Sequence, residues 1–332
     1  MQQIPLQTHS IGIDVGKREL VARIRCSNGI TEPPAAFPNT SIGLKKFLVY
    51  LKKNNVTSAD PILLESTGPY HWQPARMLAD HGYLAKIVNP LHTKQVARYS
   101  VRRRKTDKVD AGHLAFLASQ EYGYLFVETE EMAYRKALVR HYWKLWDTAR
   151  AHLNHEKYLR EHRSISRFTL SPLLLKKCEA VRHEVVKAFA KGNDLRFLDS
   201  IPGVSPFLAA AILAELAPIN RFTRIAQLVA YAGLDPSVRQ SGGKKGRYGK
   251  LSKRGSPRLR QALYMAAFGS FAKGPFRPLY EAYKGRGLHH TAVLCILARK
   301  ILRIAVTLLK KRQMFDTRHL KTVEQYGNID RT

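Results

Sequence analysis

Short apolar runs alternate with helical periodicities over the first third of the chain, and the remainder is almost wholly helical in pattern. "SIGIDVG" and "LVARIRC" are β-rich runs separated by "KRE", as in a hairpin. "SIGLKKFLVYLKKN" places Leu44, Phe47, Leu48 and Leu51 on one helical face. "PILLES" reads as a short apolar strand ending at Glu65, and "YLAKIVNP" as another, stopped by Pro90. A helix is expected from Thr106, a good N-cap, through "DKVDAGHLAFLASQ". A hairpin followed by strand–helix units predicts a mixed sheet flanked by helices.

From residue 128 to residue 163 there is no Gly or Pro, and Tyr142, Leu145, Trp146, Ala149 and Leu153 form one apolar stripe. A second helix is expected from Pro172 to a stop at Gly192, with Leu174, Cys178, Val181, Val185 and Phe189 on one side. Such a pair either packs on the sheet domain or forms a dimerisation arm. Beyond it, "SIPGVSPFLAAAILAEL" has a Pro-Gly turn, Ser205 as cap and Pro206 at the first helical position. Helices are also expected at "TRIAQLVAYAG", "SPRLRQALYMAAF" and "TAVLCILARKILRIAVTLLKK". Between the first two of these lies a Gly- and Lys-rich loop, "VRQSGGKKGRYGKLSKRG".

Charge changes the picture most. The 332 residues carry 56 Lys+Arg against 25 Asp+Glu, a net charge of +31. Such a surface concentrates polyanions and gains free energy by counterion release, so nucleic acid is the expected partner. No apolar run of membrane-spanning length and no long amphipathic anchor is present in the sequence, so no membrane partner is expected. "MQQIPLQTHSIGID" lacks a basic start followed by an apolar core, and a secretion signal is not expected. Three widely spaced cysteines argue for a reducing compartment rather than a disulfide framework or zinc site.

Within this basic chain, a few acids stand in unusual places. Asp14 lies inside an apolar β-run, where an unpaired charge is costly. Glu65 repeats the pattern at the end of "ILLES", and Asp107 and Asp110 share a helix face behind the cations Arg102, Arg103, Arg104 and Lys105. Taken singly, each acid reads as a turn, cap or helix-dipole residue. Taken together, carboxylates from two strands and one helix have the donor set for two Mg²⁺, with Mn²⁺ an alternative. Paired ions about 4 Å apart stabilise the attacking and leaving oxygens of phosphoryl transfer. His113 lies one turn beyond Asp110, and Trp72 reads either as a packing residue or as a stacking platform.

"IGIDVGK", "LLESTGPYHW", "RRRKTDKVDA" and "RQSGGKKGRYGKLSKRGSPRLRQALYMAA", in that order, resemble the DEDD-type insertion-sequence transposases, the bridge-RNA-guided recombinases. The resemblance spans essentially the whole chain. It implies an α/β plus all-α fold: a ribonuclease-H-like, Holliday-resolvase-like domain over residues 1–125, a helical coiled-coil linker over 126–195, and a helical transposase domain over 196–332. The four family acids fall on Asp14, Glu65, Asp107 and Asp110, and the nucleophilic serine on Ser241. The implied partners are donor and target double-stranded DNA, a structured guide RNA, and further copies of the chain, a dimer assembling to a tetramer with composite active sites. The implied location is the bacterial or archaeal cytoplasm, at the nucleoid.

Around Ser241 the residues supply a setting. Arg239, Lys244, Lys245, Arg247, Lys250, Lys253, Arg254, Arg258 and Arg260 crowd a stretch that has no acid from Ser237 to Tyr280. That field attracts a phosphodiester and stabilises its developing charge. Gly242 and Gly243 let backbone approach it. The Pro202-Gly203 turn reads either as a phosphate-contacting helix–hairpin–helix turn or as a turn in the core, since Ser205 and Leu208 depart from the usual pattern. The leading expectation is a DNA recombinase or transposase working through a phosphoserine. A metal-dependent structure-selective nuclease and a non-catalytic nucleic-acid-binding protein are the alternatives.

Overall fold

A computed structural model describes residues 9–66, 68–90, 93–94, 107–161, 170–239, 247–272 and 274–317; for 107–108, 237–239 and 247–250 it describes the backbone. The chain divides into two units, residues 1–128 and 129–332.

In the first unit, the alternation of Ile11, Ile13 and Val15 makes strand β1, His9–Val15. It pairs antiparallel with β2, Glu19–Cys26, from Val15↔Leu20 back to His9↔Cys26, which is the expected hairpin. β2 pairs antiparallel with β3, Ala35–Pro38. On its other side β1 runs parallel to β4, Pro61–Glu65, which runs parallel to β5, Leu84–Val88. A two-residue strand β6, Tyr124–Leu125, closes the order β3-β2-β1-β4-β5-β6. A three-stranded antiparallel meander continued by parallel strands, with helices on both faces, is the ribonuclease-H-like layout.

Helix α1, Ser41–Lys53, begins where Thr40 Oγ1 accepts the Gly43 amide at 3.3 Å. Its buried side is Leu44, Phe47, Leu48 and Leu51, as the periodicity predicts. With Ala75 and Leu78 of α2, Trp72–Asp80, it covers Ile11, Ile13, Ile62, Leu64 and Ile87. The alternate residues Leu63 and Val88 face α3, Asp107–Ser119, through Leu114, Leu117 and Ala118.

Among the described residues the second unit has one hydrophobic core. Its helices are α4 (Glu130–Glu161), α5 (Ser171–Phe189), α6 (Asp194–Asp199), α7 (Pro206–Leu216), α8 (Ile225–Ala232), α9 (Pro257–Phe271), α10 (Arg277–Gly285) and α11 (His290–Lys311). The long helix α4 buries Val139, Tyr142, Trp143 and Ala149, and the Tyr142 and Trp143 rings lie 4.2 and 5.6 Å from Phe207 of α7. So the inner half of α4 belongs to the core of the C-terminal helices. Further out, Leu153 at the end of the expected stripe is exposed, as is Tyr158. Ser205 caps α7 through the Leu208 amide, with Pro206 next, as predicted. Gly203 has φ +87°, and a Cβ there would lie 2.5 Å from the Ala266 carbonyl of α9. The Pro-Gly turn thus packs closely against α9, with Pro202 and Gly203 half-buried.

The segment expected to be a loop contains a hairpin, β7 Pro236–Arg239 with β8 Arg247–Leu251. Its residues are Gly- and Lys-rich, with little apolar alternation, which hides strands from a periodicity reading. Among the described residues no helix is long and apolar enough to cross a membrane. The three cysteines are free.

Candidate acidic site and cationic hairpin

The acids of the first unit are placed by register. Ile13 of β1 pairs with Leu64 of β4, so Asp14 and Glu65 stand one step further on, side by side at the ends of neighbouring parallel strands. Alternation sets their direction. Gly12, two residues before Asp14, lies directly beneath α3, and Leu63, two before Glu65, packs against the same helix. Both carboxylates thus lie on the α3 side of the sheet, and both are half-buried.

The direction of α3 follows from two contacts. Gly112 lies against Arg23, the partner of Gly12, and Phe116 lies under the Arg25 guanidinium, the partner of Ser10. Moving along α3 therefore means moving back along β1, and the helix starts at the Asp14 end. Ala111 and Ala115 straddle Gly12. From that crossing Asp110 is about 4–5 Å along the helix, and Asp14 about 7 Å along the strand, in the same sense. Asp110 Oδ1 is 4.0 Å from His113 Nδ1, too long for a hydrogen bond.

Carboxylate oxygens at strand ends and at a helix start suit a hard divalent ion. Asp14, Glu65 and Asp110 fit one in chemistry and in the face they share. Among the described residues no group of three or more His, Cys, Asp or Glu side chains is close enough to hold a metal. The Asp107 side chain and Arg102, Arg103, Arg104 and Lys105 lie outside the described residues. Trp72 packs against the core on the α1 side of the sheet, which answers its packing reading.

In the second unit the hairpin pairs Val238 with Tyr248 and Arg239 with Arg247, with one extra residue on β8 before Pro236↔Leu251. Ser241, Lys244 and Lys245 fall in its connection, outside the described residues, as do the side chains of Arg239, Arg247 and Lys250. Ser252 clasps the base: its Oγ donates to Asp235 Oδ1 at 2.5 Å, and its amide to the Asp235 carbonyl at 2.9 Å. Lys253 and Arg254 are exposed.

Two cations of the expected set are used within the protein. Arg258 donates to Asp147 at 2.6 Å and to Gln261 at 3.0 Å, and lies 5.8 Å from the Trp143 ring. Arg260 donates to the Ala232 carbonyl at 3.1 Å. Arg258→Ala is expected to lower stability by about 1 kcal/mol, a value kept small because Asp147 is 42% exposed. Thermal melting of the purified protein checks it.

The acids that anchor this cationic stretch, Asp147, Glu215 and Asp235, lie outside it in sequence, and the sequence reading missed them. Glu215 had a signal: a lone carboxylate in the apolar run "LAAAILAEL", the same anomaly that singles out Asp14.

Comparison with known proteins gives two matching families. Residues 11–162 match the DEDD-type IS110 transposase family, and residues 195–281 match the transposase family IS116/IS110/IS902. The chain is 24% identical over 325 residues to a pilin gene-inverting protein of Moraxella bovis, covering 93% of this chain and 98% of that one. It is 31% identical over 133 residues to an uncharacterized 44.8 kDa protein of insertion element IS116 from Streptomyces clavuligerus, covering 40% of this chain and 33% of that one. A 97-residue stretch is 40% identical to the transposase of insertion element IS1111A from Coxiella burnetii, covering 28% and 26% of the two chains.

Proposed function

This chain belongs to the IS110/IS116 transposase family and is a DNA transposase of a mobile insertion element; from that premise we propose that it is an RNA-guided recombinase that breaks and rejoins DNA through a phosphoserine. The observation that supports an active chemistry over passive binding is the register that sets Asp14 beside Glu65 under the start of α3.

Ser241 Oγ attacks the scissile phosphorus and loses its proton to a base. The bond from phosphorus to the leaving strand oxygen breaks, and that oxygen takes up a proton. The phosphodiester energy is kept in the serine ester, and a hydroxyl of a second strand later attacks the same phosphorus and releases Ser241. Asp14, Glu65, Asp107 and Asp110 would hold a divalent ion, Mg²⁺ by preference, which when bound neutralises charge at the phosphate. Lys253 and Arg254, with the other hairpin cations, hold the DNA backbone without reading its bases. Sequence is read by pairing with a structured guide RNA. The working form is a homo-oligomer, a dimer that pairs into a tetramer, in the cytoplasm at the nucleoid.

Asp14→Asn is the direct test. Strand cleavage of element-end DNA should fall at least about 100-fold, as for loss of a charged group that acts in the transition state, while salt-sensitive DNA binding stays. Cleavage at the unaltered rate removes the acidic-site assignment. Binding discriminates among the cations too. Arg254→Ala should reduce the slope of log affinity against log salt by about 1, whereas Arg258→Ala leaves it unchanged because its guanidinium is held by Asp147. Titrations at several salt concentrations measure both.

A further inference from the structure

Glu215 stands in the last turn of α7 and is 2% exposed. An ionised carboxylate at that depth is tolerated only when paired and hydrogen-bonded. Its Oε2 accepts from Ser256 Oγ at 2.9 Å and from the Tyr231 hydroxyl at 3.3 Å. Its Oε1 faces Arg140 Nε at 3.6 Å. Three other elements, α4, α8 and the start of α9, thus converge on one side chain.

What Glu215 holds is the exit of the cationic hairpin. Ser256 is the N-cap of α9, its Oγ also accepting the Leu259 amide at 3.2 Å. Its own amide donates to the Tyr231 carbonyl at 2.6 Å. A Cβ on Gly255 would lie 2.0 Å from that same carbonyl, so the chain just before α9 is pressed against the end of α8. β8 ends at Leu251. Ser256 is thus joined to the hairpin by a short irregular segment that is itself clasped at Ser252. Burial alone would be served by a leucine at position 215. A carboxylate gripping a cap hydroxyl fixes a position, because hydrogen bonds are directional where apolar contacts are not.

We propose that Glu215 is a positioning residue for the Ser241 hairpin. It sets the point where β8 hands over to α9, the exit of the hairpin whose connection carries Ser241 in the sequence. The claim about Ser241 rests on the recombinase reading above; the claim that Glu215 orders the hairpin does not.

The test uses the full chain with Glu215→Ala, Ser256→Ala and the double variant. Hydrogen exchange is followed in the purified proteins, and circle formation by a plasmid-borne copy of the native element is followed in cells. In each single variant, exchange should quicken about tenfold over residues 247–259 while the rest of residues 129–317 is unchanged. Circle yield should fall at least tenfold, and the double variant should lose less than the sum of the two single losses, since the Glu215–Ser256 bond is common to both. Wild-type circle yield in Glu215→Ala, a loss without that localised rise in exchange, or additive losses overturn the proposal. Ser241→Ala in the same circle assay judges the nucleophile separately. If it still forms circles, the recombinase chemistry falls while the exchange data still decide whether Glu215 orders the hairpin.

Discussion

Gly12→Ala is expected to destabilise the sheet unit by about 3 kcal/mol, the upper end of the range for overpacking a core. The added methyl would lie 2.1 Å from the Ala115 amide nitrogen and 2.2 Å from the Ala111 carbonyl oxygen. Both are backbone atoms in the middle of α3, so no side chain can swing aside. The helix must lift off β1 as a body, and its opposite contacts, Leu114, Leu117 and Ala118 on Leu63 and Val88, would be loosened with it. The change also moves Asp110 away from the strand ends that carry Asp14 and Glu65. A lowered melting transition for residues 1–128, with the helical unit unaffected, is the expected readout. Cleavage should fall further than the unfolded fraction accounts for. A variant as stable and as active as the parent would mean that α3 does not cross β1 at Gly12.

Ser241→Ala should remove the covalent protein–DNA adduct and all strand joining, a loss limited by the detection floor of the assay. Among the described hydroxyls beside the hairpin, two are held in other hydrogen bonds. Ser252 is committed to Asp235, and Ser256 to Glu215 and the Leu259 amide. Binding should persist, because the neighbouring cations remain. Denaturing gels of protein with labelled element-end DNA detect the adduct. An alanine variant that still nicks DNA without an adduct would point to hydrolysis by water at the acidic site. One that still joins strands would remove Ser241 from the chemistry.

Much of the sheet unit was legible because its signals are local and period-specific. Ile11, Ile13 and Val15 alternate about a conspicuous Asp14, and Leu44, Phe47, Leu48 and Leu51 repeat at helical spacing. β3 was not legible: "AAFP" is four residues with no β-branched side chain, held by pairing with β2. α2 was hidden by Pro74 in its first turn, a position helices tolerate. The hairpin β7–β8 lacks apolar alternation and is held instead by the Asp235–Ser252 clasp, a contact across 17 positions. The role of Arg258 was unreadable for the same reason. Its acceptor Asp147 lies 111 residues earlier, out of reach of a local reading of charge density. The identity of the four acids and of Ser241 came from resemblance; what the fold adds is the common face and level of Asp14, Glu65 and the start of α3.

The two units keep separate hydrophobic interiors, one centred on Ile11, Ile13 and Phe47, the other on Trp143, Phe207 and Leu297. A lesion confined to the first interior removes none of the contacts within the second. Under the recombinase proposal, a chain damaged in this way keeps the exposed Lys253 and Arg254 and is expected to compete with intact copies for element ends, as an inhibitor of their transposition.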